Sequence, residues 1–133
     1  MRGDHDYMNQ DKLFVEIFVD KKIVASLVEE ANAHCGYWCA VVEESEDTDF
    51  DDVIPGTKKI WIKFSIRDNE DWDVNKPGQK EQKVLSFNSI RRGLAIMAGK
   101  YPHRFADVIK DNCDAETADV FLQCCLLGDV EFG

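Results

Sequence analysis

No basic stretch followed by an apolar one opens this chain, and no apolar run approaches the roughly 20 residues that a membrane-spanning helix needs. The start, Met-Arg-Gly-Asp-His-Asp-Tyr, is polar and acidic, so a cytoplasmic protein is expected. Cys-x2-Cys pairs are missing, although there are five cysteines. An odd number without a secretory leader reads as reduced thiols rather than a disulfide framework. Also missing are a Walker loop, a Gly-x-Gly-x-x-Gly turn, a Gly-x-Ser-x-Gly elbow and a His-Glu-x-x-His helix, so no enzyme class announces itself. There is no internal repeat, heptad or low-complexity tract. Basic residues are in deficit: 16 Lys and Arg against 26 Asp and Glu leave a formal charge of −10. Such a charge repels nucleic-acid phosphates and anionic membranes, and it favours a partner with a basic surface.

What is present is enough for a core. At 133 residues, 44% of them apolar and 11% aromatic, the chain can offset the entropy of ordering within a single domain. Residues 1–12 read as a flexible N-terminal segment. Leu13 to Val19 is β-branched and aromatic and predicts a strand. Asp20 is a helix N-cap, and Ile23, Val24, Leu27, Val28 and Ala31 form one helical stripe, with Gly36 placed for a left-handed stop. Tyr37 to Val42 predicts a second strand. Lys58 to Arg67 alternates cleanly, with Ile60, Ile62, Phe64 and Ile66 on one face, and predicts a third.

Residues 68 to 83 read as a long polar connection through Pro77-Gly78. Asn88 or Ser89 then caps a helix running to about Tyr101 on the stripe Ile90, Leu94, Met97 and Ala98. Pro102 forces a break before a short helix with Phe105, Val108 and Ile109. Asp114 caps a last helix carrying Ala118, Phe121, Leu122 and Cys125, which stops at Gly128, and Asp129 to Phe132 could add an edge strand. The expected fold is α+β: a small antiparallel sheet of about three to four strands packed by about four helices, in the order β-α-β-β-α-α-α-(β).

Candidate sites are few. His34, Cys35, Cys39, His103, Cys113, Cys124 and Cys125 supply zinc-type ligands at poor spacing, and His103 with Cys113 is the one Cys-His pair away from the first helix region. Neither pattern predicts a metal, a cofactor or a catalytic residue. Cys39 and Cys125 fit equally well as small core residues, and His34 as a helix-end group. Asp47, Asp49 and Asp51 alternate like the start of a calcium loop, but Asp52 stands where the glycine belongs and Lys58 where the closing glutamate belongs.

The remaining candidates are two acidic clusters. Glu43, Glu44, Glu46, Asp47, Asp49, Asp51 and Asp52 make seven of ten residues acidic, and Asp68, Glu70, Asp71 and Asp73 surround Trp72 beyond the Lys58–Arg67 strand. An aromatic among charges is a common interface anchor, whereas charge runs alone are commonly solvated faces.

In the C-terminal half, Ile90-Arg-Arg-Gly-Leu-Ala-Ile-Met-Ala98, Tyr101-Pro-His-Arg-Phe105, Asp114-Ala-Glu-Thr-Ala-Asp-Val-Phe-Leu-Gln123 and Gly128-Asp-Val-Glu-Phe-Gly133 resemble small acidic proteins of tailed bacteriophages and prophages. The resemblance covers roughly residues 84–133, with Tyr37-Trp38 as a second point. It implies a non-enzymatic accessory protein that binds a host or phage protein, such as an anti-CRISPR-like inhibitor of a defence or nucleic-acid-processing complex. Two further expectations stay open. One is a homo-oligomeric assembly protein joined through Tyr37, Trp38 or the Lys58–Arg67 strand; the other is a small metal- or thiol-dependent enzyme using Cys35, Cys39 or Cys113.

Overall fold

The computed structural model describes residues 16–68, 70–73 and 81–133, and these form an α+β fold with four helices and one three-stranded antiparallel sheet. Helix α1 spans Lys21–His34; the Asp20 side chain accepts the Lys22 N–H at 2.8 Å and so satisfies one of the orphan donors of the first turn. Its stripe is buried at Val24, Leu27 and Ala31.

The expected stop at Gly36 is corrected by the backbone. Cys35 caps the helix without a left-handed residue, and its carbonyl accepts from both Trp38 and Cys39 at 3.2 Å. That tight turn drops Trp38 straight into the core.

Strands β1 (Cys39–Glu44), β2 (Trp61–Ile66) and β3 (Gln82–Ser86) lie in sequence order, with β2 in the centre. Ile62, Phe64 and Ile66 are buried beneath the helices, as the alternation predicts, and an irregularity between Val41 and Glu43 lets β1 carry one extra residue. Two strand expectations change. Residues 16–19 have no regular structure, and Ile17 and Phe18 are 55% and 88% exposed; residues 13–15, with the segment 1–12, lie outside the described residues. The third strand comes instead from Gln82–Ser86, at the end of a stretch that reads as polar connection, because pairing with β2 needs only one core side chain here, Leu85.

Helix α2 (Phe87–Lys100) starts earlier than expected. Ser86 is the N-cap, and Ser89 serves as its capping-box partner rather than as the cap. Pro102 opens α3 (Pro102–Ile109) in the first-turn position, where its missing N–H costs nothing. Helix α4 (Ala115–Leu127) is capped by Asp114 and ended by Gly128 at φ 79°. It is the hub of the fold, buried on nearly every side from Thr117 to Leu126 and packed by α1, α2, α3 and β3.

Residues 129–132 do not add a strand. Their hydrogen bonds go to side chains: fully buried Gln123 accepts from Glu131 N at 2.7 Å and Phe132 N at 2.8 Å, and donates to the Phe132 carbonyl at 2.9 Å. Asp129 is held by Tyr101 and Lys100, whose hydrogen bonds lower its carboxyl to about 2.

Candidate functional site

The first acidic cluster is a fixed structure rather than a loose tail. Ser45 is buried and its hydroxyl accepts Ile60 N at 2.8 Å, Thr48 N donates to the Lys58 carbonyl at 3.1 Å, and Ile54 N donates to the Lys59 carbonyl at 2.8 Å. Ile54 is fully buried, so one apolar side chain anchors the β1–β2 connection in the core while its polar groups are satisfied across the loop. Gly56 closes it at φ 85°, where an added Cβ would lie 2.9 Å from Ala25 Cβ of α1.

All seven carboxylates, from Glu43 to Asp52, are exposed. Two meet lysines, Glu43 with Lys63 and Asp47 with Lys59 at 3.0 Å, and the other five have no cationic partner among the described residues. Phe50 stands among them at 67% exposure, an apolar group that the charge pattern hides from a reading of the sequence.

The second cluster lies elsewhere. The first connection enters β2 and the second leaves it, so six residues of strand, about 20 Å, separate them and they do not merge into one patch. Asp68, Glu70 and Asp71 are exposed and Asp73 is half-buried. Trp72 folds back on the sheet: its indole N–H donates to Ser65 Oγ at 2.9 Å and helps bury that hydroxyl completely. Trp61 and Lys63 share this face of β2, opposite Ile62, Phe64 and Ile66, and Val84 beside Lys63 is 44% exposed. The outer sheet face therefore carries aromatic and apolar surface with carboxylates at both ends.

A second set of functional groups gathers around Asp119 of α4. Its carboxylate accepts from Trp38 Nε1 at 2.8 Å, from the Tyr37 hydroxyl, from Gln123 Nε2 at 3.1 Å and from the Cys35 thiol at 3.5 Å. Trp38 is fully buried and stacks on Phe132 at 5.5 Å, so it belongs to the core and cannot form a subunit interface. Nor can β2 lend an edge to a second copy, since β1 and β3 occupy both.

The cysteines are far from thiolate chemistry. Burial, and then the Asp119 carboxylate, push the Cys35 thiol well above its usual range, and the same causes push Cys39 up to about 12. Burial raises Cys125 strongly and, with Asp129, Cys124 to about 11. A nucleophilic cysteine needs the opposite shift. Among the described residues no three His, Cys, Asp or Glu side chains converge as metal ligands. Four of the five thiols are buried, and Cys113 alone is half-exposed. At neutral pH iodoacetamide is expected to label Cys113 first, with Cys35, Cys39, Cys124 and Cys125 protected until the protein unfolds; fast labelling of Cys35 by peptide mass spectrometry would overturn this assignment.

Comparisons with protein-family models, curated proteins and solved structures find no significant match.

Proposed function

We propose that this is a non-enzymatic protein-binding domain that docks on a basic surface of a host or phage protein, inhibiting a defence or nucleic-acid-processing complex. The observation that carries this reading is the fixed β1–β2 connection, where seven exposed carboxylates stand on a backbone anchored by Ile54 and Ser45. Preorganised charge binds at lower entropic cost than the same charge on a loose chain. A row of fixed carboxylates presents to a vacant basic cleft the charge that phosphates would otherwise supply, and it raises the association rate through steering. The resemblance of residues 84–133 to small phage proteins supports the same reading.

Replacing Glu43, Glu44, Glu46, Asp47, Asp49, Asp51 and Asp52 by their amides keeps shape and removes the charge. Partner binding is then expected to fall at least about 100-fold, and its dependence on salt to flatten. Unchanged binding by the amide variant, with an unchanged circular-dichroism spectrum, would refute the proposal.

A further inference from the structure

A groove of about 500 Å³ runs between residues 17–19, the first turns of α1 and the outer side of α2. Its floor is apolar, built from Val24, Ile90, Leu94 and Phe105, and its margin adds Ile17 and Phe18 at 55% and 88% exposure. Lys21 and Arg91 stand on its rim. Elsewhere on the surface Lys59, Lys63, Lys83, Lys100 and Arg104 sit in ion pairs. Lys21 and Arg91 have no such pair among the described residues. Lys21 lies over the Phe87 ring at 5.7 Å, and Arg91 has no carboxylate partner among the described residues. A groove with an apolar floor and an unneutralised basic rim fits an apolar side chain flanked by carboxylates.

The chain itself displays such a segment. Phe50 is 67% exposed, with Asp49 before it and Asp51 and Asp52 after it, none of them in an ion pair among the described residues. We infer that the Phe50 tip of one copy docks in the groove of a second copy, the ring entering between Ile90 and Phe105 while the aspartates meet Lys21 and Arg91. Exposure of the ring means that it does not occupy its own groove. Pro55, from the same loop, lines the groove. Tip and groove are thus within about 18 Å of one another on one molecule, which lets two copies exchange tips reciprocally about a two-fold axis. The inference does not depend on the proposed function, although a docked tip would hide part of the acidic surface. Overall like charge opposes the dimer, so association is concentration-dependent.

Sedimentation velocity of the full chain over a concentration series, with thiols kept reduced, tests it. The wild type is expected to shift from monomer to dimer. Phe50→Ser and Arg91→Glu, both at exposed positions, should each weaken the dimer about tenfold or more. Mixing the two variants should restore part of the association, because each contributes the half the other lacks. A monomeric wild type at the highest soluble concentration overturns the inference. So does a dimer indifferent to both substitutions, or a monomer whose groove takes up a free Asp-Phe-Asp-Asp peptide.

Discussion

Gly93→Ala is expected to cost about 3 kcal/mol, a large share of the stability of a domain this size. A Cβ at position 93 would lie 2.3 Å from Cys125 Sγ and 2.8 Å from both the nitrogen and Cα of Cys125. The sulfur can rotate aside, but the backbone atoms can withdraw only if α2 and α4 move apart. Those two helices form the main helix pair of the fold, and their separation would loosen Ile90, Met97, Phe121 and Leu122 together. Gly99 of the same helix is the control. Nothing lies within 4 Å of its added Cβ, so Gly99→Ala should stabilise by up to about 1 kcal/mol through helix propensity. Urea unfolding of both variants gives opposite signs if α2 and α4 touch at Gly93. A loss below about 1 kcal/mol at Gly93 would mean that they do not.

Trp38→Ala carries the second large effect, about 3–5 kcal/mol, because it empties a fully buried site at the meeting point of α4, β1 and the C-terminal segment. Phe132 loses its stacking partner, and Asp119 loses the donor at 2.8 Å. Trp38→Phe separates the two losses. It keeps a ring against Phe132 and leaves Asp119 with Tyr37, Cys35 and Gln123, so a cost of about 1–2 kcal/mol is expected. Equal losses for Phe and Ala, in thermal unfolding, would mean that the stack contributes nothing.

Where a segment carries its own pattern, the sequence and the fold agree. Asp20 and Asp114 cap where their positions suggest, Pro102 separates two helices, Gly128 ends the last one, and β2 buries the alternate residues that its spacing marks. Long-range causes account for the differences. Strand β3 holds its place through a ladder to β2, with Leu85 its one core residue, so its polar composition reads as loop. Residues 129–132 have the β-branched and aromatic look of a strand, yet Gln123, 8 to 9 positions earlier, takes the hydrogen bonds of Glu131 and Phe132. The convergence of Tyr37, Trp38 and Cys35 on Asp119 spans more than 80 residues and has no local signature.

The acidic clusters were legible as composition but not as geometry. Counting charges finds Glu43 to Asp52 and Asp68 to Asp73; only the topology places them at opposite ends of β2, and only the packing shows Ile54 anchoring one and Trp72 folded back from the other. Whether Phe50 within the first cluster is a core residue or an exposed one is likewise decided by the packing, which leaves it 67% exposed.

The most direct measurement is recovery of the tagged protein from host lysate at low and moderate salt, beside the seven-amide variant, with mass spectrometry of what accompanies each. The account predicts one nucleic-acid-binding complex with the wild type, released by added salt, displaced by DNA or RNA, and missing from the variant. Recovery of the same proteins by both forms, or of nothing beyond further copies of the chain, would contradict it.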